Sequence, residues 1–324
     1  MKRRQFLHVV AGAAAGLAIP TSVSAQGYPA RTVRMIVPFA PGGPTDVAAR
    51  LIAQNLSTRL GKQFVVENVP GASSNIGTAQ AAKAAPDGYT VLVTVNNLVI
   101  NPSLFGKVPF DPYKNFDPVA LAVSFSSALA VHPSVPAKTV AELVKHLKAS
   151  PGKYNFASPG LGTPSHLLGE QFRVTLGLDL VHVPYQGSGP AIASAVAGHT
   201  PICFAAMSAA VPHAKAGNLR VLAVMSRNPS SSLPEAPTIA AAGYPGLDGD
   251  GWVGALVPAG TPKEIVSLLN REINAIIALP ALKLRFATLG LDPVGGTPAA
   301  FAQQLRAEGE KWAKVIKAAK IKAK

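Results

Sequence analysis

Val33-Arg34-Met35-Ile36-Val37-Pro38-Phe39-Ala40-Pro41-Gly42-Gly43-Pro44-Thr45-Asp46 reads as a strand, a glycine-bearing loop and a helix start in immediate succession. The apolar run Val33–Val37 ends at a proline, as a short strand does. Beyond the loop, Val47, Leu51, Ile52 and Leu56 recur at helical spacing. Gly42-Gly43 permits positive φ and close backbone approach. Thr45 or Asp46 can cap the helix that follows. Strand, loop, helix is the unit from which a parallel sheet with helices on its faces is built.

The unit recurs in both directions along the chain. Phe64–Asn68 is a second strand, followed by the loop Pro70-Gly71-Ala72-Ser73-Ser74-Asn75-Ile76-Gly77 and a helix through Ala82. Tyr89–Thr94 is a third strand, with Asn96 and Asn97 just after it. The apolar run Val119–Val131 suits a strand that crosses between two lobes. Thr139 and Glu142 have the spacing of a capping box at the head of a helix. A second set of units follows: Tyr154–Ala157 before the loop Ser158–Pro164, then Leu180–Val183 before Tyr185-Gln186-Gly187-Ser188-Gly189-Pro190. Ile202–Ala206 and Leu219–Met225 are further strands. Trp252–Val257 is another, and Lys263–Ala278 and Pro298–Lys320 carry the last helices. Two α/β lobes are expected: 26–124 plus 228–324 form a discontinuous first lobe and 125–227 the second. The return to the first lobe falls somewhere between 224 and 251, a stretch rich in Pro, Ser and Gly.

The chain has 324 residues, 48% of them hydrophobic and 14% charged, which permits a large core and excludes a disordered chain. Lys2-Arg3-Arg4, a short apolar stretch to Ile19 and Val23-Ser24-Ala25 compose an export signal, with cleavage expected after Ala25. Arg3-Arg4-Gln5-Phe6-Leu7 resembles a twin-arginine motif, although a general-secretion signal with two arginines reads the same way. The net charge of +14 falls to +11 once residues 1–25 are removed. The cations are dispersed. Their densest cluster, Lys311 to Lys324, has the spacing of one solvated helix face, so nucleic acid is not expected as a partner. The single cysteine, Cys203, sits in an apolar run and is expected to be a packed, inert thiol.

Four loops share one design: each ends a strand, carries Gly, Ser, Thr or Asn, and leads towards a helix. Ligands of open α/β sheets bind outside the carboxyl ends of the strands. A helix start there offers free N–H groups and the positive end of a dipole, an anion site without Arg or Lys. The candidate binding residues are therefore Phe39, Ala40, Gly42, Gly43, Thr45 and Asp46 from the first loop, with Asp46 read as a cap in preference to a contact. Asn75 and Asn96 come from the next two loops. Ser158, Gly162, Thr163, His166 and Tyr185 come from the second lobe. His166 and Tyr185 are each open to a packing role, and Asn96 to a turn. No nucleophile elbow, dinucleotide fingerprint, phosphate loop or zinc spacing is present, so no catalytic residue, metal or cofactor is expected. A secreted serine hydrolase using Ser158 or Ser188 with a His is the rival class, since triads assemble in space.

These loops resemble the Bug-type solute-binding receptors of tripartite tricarboxylate transporters. Ile36–Asp46, Glu67-Asn68 through Asn75-Ile76-Gly77, Ala85–Thr90, Ser158-Pro159-Gly160 with Gly162-Thr163 and His166-Leu167, and Val183–Gly187 carry the likeness. So do Leu233–Thr238 and Val257–Pro262. The resemblance implies a type II periplasmic-binding-protein fold, two α/β lobes around a ligand cleft. It implies a monomeric periplasmic receptor that captures a small carboxylate, di- or tricarboxylate or aromatic acid. Backbone N–H groups, hydroxyls and water would hold the guest, which is delivered to a two-component integral-membrane transporter. Pro201-Ile202-Cys203-Phe204 and Val95-Asn96-Asn97 depart from the family pattern near the expected cleft, which leaves the acid unidentified.

Overall fold

The computed structural model describes residues 27–318 and Ile321. The export signal with its cleavage point, and Lys320, Lys322 and Lys324 of the basic tail, lie outside the described residues. In chain order the elements are β1 Val33–Val37, α1 Pro44–Leu60, β2 Phe64–Asn68, α2 Asn75–Ala82, β3 Thr90–Thr94, α3 Asn97–Phe105, β4 Phe116–Phe125 and β5 Ser127–Val131. They continue with α4 Val140–Lys148, β6 Tyr154–Ser158, α5 Pro164–Thr175, β7 Leu180–Pro184, α6 Ser188–Val196, β8 Ile202–Ala206, α7 Met207–Lys215 and β9 Arg220–Val224. The last are β10 Gly251–Pro258, α8 Lys263–Ile277, α9 Pro280–Thr288, β11 Leu291–Pro293 and α10 Pro298–Ala318.

Two sheets result, one in each lobe. The first has six strands in the order β11-β4-β10-β3-β1-β2, the second five in the order β7-β6-β8-β5-β9. The loop-helix units pair in parallel, as expected: β1 with β2 and β3, and β6 with β7 and β8. The strands that carry the chain between lobes do not. β10 runs antiparallel between β3 and β4, and β5 antiparallel between β8 and β9.

Both faces of each sheet are covered, which is why its strands read as continuous apolar runs. Met35 and Val37 point to one side, against Ile52, Leu56, Leu269 and Ile273. Between them Ile36 points to the other, with Leu92, Leu98, Trp252 and Phe301. In the second lobe Leu129, Phe156 and Phe204 fill one face, and Ala128, Ala130, Cys203 and Ala205 the other. Each fully buried large apolar side chain contributes about 1.5–3 kcal/mol. Thr139 Oγ1 accepts the Glu142 N–H at 3.1 Å, the capping bond its spacing promised. Lys311, Lys314 and Lys317 are exposed on α10, while Trp312 and Ile316 are buried.

The first crossing turns on one residue, Ser126, between β4 and β5; its carbonyl accepts the Met207 N–H at 2.9 Å. The second crossing falls at the far end of the 224–251 stretch expected to hold the return. Leu233 and Ala236 pack on one face of the second sheet and Ile239 and Leu247 on the other. Thr238 bridges Val224, and the Gly249 N–H donates to Met225 O. The chain re-enters the first lobe only at Asp250-Gly251, because this stretch buries its few apolar residues on the sheet it has just left.

The loop before α2 holds stored strain. Ala72, Ser73 and Ser74 all have positive φ, at 46°, 56° and 75°. The left-handed region is unfavourable for residues with a Cβ. The Asn101 side chain holds the loop by donating to Ser73 O and Asn75 Oδ1, both at 2.8 Å. Ser73→Gly is expected to raise stability by about 0.5–1 kcal/mol, since glycine adopts this φ freely and the variant keeps the Ser73 carbonyl. Urea unfolding checks it; a loss of stability would remove the strain argument.

Candidate functional site

Three helix starts converge where the lobes meet. α1 begins at Pro44 with Gly43 as N-cap, α6 at Ser188 with Gly187, and neither cap residue has a side chain to spend on the first-turn amides. Proline at the first helical position of α1 brings no N–H of its own, which leaves the Thr45 and Asp46 amides for a guest. α5 begins at Pro164 and is capped by Thr163, whose Oγ1 accepts the His166 N–H at 3.2 Å. Between these starts lies a small, partly open cavity. Phe39, Gly43, Pro44, Thr45, Val95 and Phe125 line it from the first lobe; Pro159, Thr163, Pro164, Ser165, Gly187, Ser188 and Ala206 line it from the second. None of these is Lys, Arg, Asp or Glu.

The lobes are closed on each other. The Ala40 N–H donates to Gln186 O at 2.8 Å, and Asn97 Nδ2 to Leu161 O at 3.0 Å. Leu167, with Leu161 beside it, packs on Ile100, Leu104, Trp312 and Ile316. Gly42 alone of the glycine pair uses positive φ, at 92°. Gly43 has φ −88° and faces Ser188 across the cleft, so its role is close approach.

The other residues expected at the site divide into walls and scaffolding. Phe39, Gly43, Thr45 and Thr163 are on the wall. Ala40 spends its N–H on the other lobe. Asp46, 4% exposed, does not cap α1. Its carboxylate instead accepts from Gly42 N–H at 3.1 Å, Asn68 Nδ2 at 3.0 Å and Arg50 Nε at 3.1 Å, and so folds the loop back on its own helix. Burial alone would raise its pKa; the hydrogen bonds from Arg50, Gly42 and Asn68 outweigh that and hold it below the usual range.

Five of the expected residues have partners within the protein. Asn75 accepts from Asn101, inside the strained loop. Asn96 is 1% exposed, donates to Glu308 Oε2 at 2.7 Å and accepts the Trp252 N–H at 3.1 Å, which ties α3 to α10 and β10. The Tyr185 hydroxyl donates to Ser194 Oγ. His166, 2% exposed, accepts the Gly162 N–H on Nδ1 at 3.1 Å, so histidine and glycine together shape the second-lobe loop from behind. Ser158, fully buried, lies 2.6 Å from His182 Nε2.

That last pair is a hydroxyl and an imidazole in contact, yet it is poorly placed for nucleophilic chemistry. Ser158 is not on the cavity wall. Burial, and then the Arg173 charge, pull His182 down to about 4, too weak a base at neutral pH. His166 stacks on His182 with ring centres 4.3 Å apart; burial, and then the neighbouring imidazole, hold its pKa well below the usual histidine range. His166, Glu170 and His182 bring ligand-type atoms within 4.8 Å of one another. Those atoms already have partners: Gly162 on His166, Ser158 on His182, and Arg173 on Glu170 at 2.6 Å. The trio is scaffolding. Cys203, fully buried in β8, has its thiol pushed up to about 12 by burial.

The wall residues that motif reading passed over are Pro44, Val95, Phe125, Pro159, Pro164, Ser165, Gly187, Ser188 and Ala206. Gly187 and Ser188 had a signal, as a glycine-serine pair ahead of a helix. Val95, Phe125 and Ala206 look like core in any one-dimensional reading.

Residues 48–321 match the family described as tripartite tricarboxylate transporter family receptor. Protein BugT of Bordetella pertussis (strain Tohama I) is 38% identical over 314 residues, covering 96% of each chain. Among solved structures, an R. palustris protein with adipate superposes with a TM-score of 0.88 at 34% identity, over 90% of this chain and 98% of the other. MatC from Rhodopseudomonas palustris with bound malate superposes with a TM-score of 0.85 at 31% identity, over 89% and 100%.

Proposed function

The chain belongs to the tripartite tricarboxylate transporter family of receptors, and from that premise we propose that it is a periplasmic receptor for a small organic carboxylate, which it hands to a two-component membrane transporter. The observation that carries the reading is the convergence of uncapped helix starts, α1 from one lobe and α6 from the other, on a cavity whose lining has no cationic side chain. Each start supplies oriented N–H groups and roughly half a positive charge. Two starts facing each other hold an anion without the desolvation cost of burying an arginine.

Binding closes the lobes about Ser126 and Asp250-Gly251. The guest completes the hydrogen bonding of both loops and thereby favours the state in which Ala40 meets Gln186 and Asn97 meets Leu161. The adipate and malate held by the two R. palustris relatives support a carboxylate as guest. The Ser158–His182 pair gives a hydrolase reading little support, since the low His182 pKa makes its imidazole a weak base at neutral pH.

Protein stripped of any carried-over ligand is expected to show a raised melting temperature with at least one acid from a broad carboxylate panel. A ligand at 100 times its Kd stabilises by about 2.7 kcal/mol, well within reach of a thermal shift. A flat response across the panel would sink the reading. Turnover of an ester that disappears in Ser158→Ala would replace it with the hydrolase.

A further inference from the structure

We propose that the guest carries one carboxylate on an apolar body, with neither a second anionic group nor an ammonium. The proposal rests on the carboxylate-receptor reading and narrows it, away from the di- and tricarboxylates that the family resemblance brings to mind.

Hydrogen-bonding capacity is gathered at one end of the cavity. Gly43 faces Ser188 so closely that a Cβ on the glycine would touch that side chain, which sets the uncapped first turns of α1 and α6 against each other. A carboxylate between them meets donors from both lobes. The remainder of the wall has little to offer a second charge. Of its hydroxyls, Thr163 Oγ1 donates to Gly160 O at 2.7 Å and accepts the His166 N–H, and Ser165 Oγ is paired with Ser127 Oγ at 2.9 Å.

Val95, Phe125 and Ala206 supply apolar surface from the ends of β3, β4 and β8, where the two crossings meet. Behind them, the start of α7 has its first amide taken, since the Met207 N–H donates to Ser126 O at 2.9 Å. A carboxylate set on the Val95, Phe125 and Ala206 side chains would shed its water against apolar surface, which is strongly unfavourable. An ammonium fares no better. Asp46, next in sequence to the wall residue Thr45, is already engaged by Gly42, Asn68 and Arg50.

Isothermal titration calorimetry on the ligand-stripped mature protein tests the charge count with matched pairs: pentanoate against glutarate, and benzoate against terephthalate. 2-Aminopentanoate serves as the zwitterion. The monocarboxylate of at least one pair is expected to bind on the order of 100-fold more tightly than its dianion, and 2-aminopentanoate to bind as weakly as glutarate. Heat that vanishes in Gly43→Val places the binding in this cleft. If glutarate or terephthalate equals or exceeds its partner, the inference is overturned while the receptor reading stands. Silence from every carboxylate, with heat from an uncharged solute, overturns both.

Discussion

Gly43→Val is expected to weaken carboxylate binding by at least about 100-fold, or roughly 2.7 kcal/mol, with far-UV dichroism and unfolding midpoint close to those of the parent. The asymmetry follows from where the new atoms go. Gly43 has φ −88° and ψ 173°, an extended conformation that any residue adopts, so the backbone is not strained by a side chain. The nearest atoms to an added Cβ belong to Ser188, across the cleft. A valine therefore fills the space between the starts of α1 and α6, where the anion would sit, and leaves the packing of each lobe alone. Calorimetry with the best ligand of the carboxylate panel reads the loss. An unchanged Kd would show that the guest is held elsewhere.

The second large effect belongs to a residue that never reaches the cavity. Asp46→Ala is expected to lower unfolding free energy by about 1–3 kcal/mol, because the variant removes the shared acceptor of the Gly42 N–H, one donor of Asn68 and the half-exposed Arg50 guanidinium. Binding should weaken too, since those bonds fix the loop from Phe39 to Gly43. Urea denaturation checks the first effect, and a loss below about 1 kcal/mol would show that the loop holds itself. The pH profile gives an independent reading. The Asp46 pKa is lower in the folded state, so its stabilising contribution is present above the unfolded value of about 3.9 and is lost as pH falls through the folded one. Asp46→Ala should flatten stability in that acid range.

How much of this was legible in one dimension depends on the range of the interaction that decides each feature. The strand-loop-helix units are local: a β-branched run, a glycine or proline, then 3.6-residue spacing, all within a few turns. α3 escaped such a reading because Leu98, Val99 and Ile100 look like strand and Pro102 sits inside the helix. α7 has the same disguise at Pro212. The antiparallel course of β10 and β5 is set by the crossings between lobes, which no window of sequence contains.

Site residues follow the same rule. Gly43 and Thr163 announce themselves by their position ahead of a helix. Asn96 offered equally good chemistry, but Glu308, 212 residues away, claims its amide. Val95, Phe125 and Ala206 carry no polar signal, and only the meeting of two lobes turns them from interior into wall.

Cys203 has a practical consequence. It is the sole thiol in the chain, fully buried, and its raised pKa keeps it protonated far above neutral pH. Maleimide dyes will pass it by. A cysteine introduced on the exposed rim of either lobe can therefore be labelled alone in the wild-type background, and its fluorescence would report opening and closing in real time.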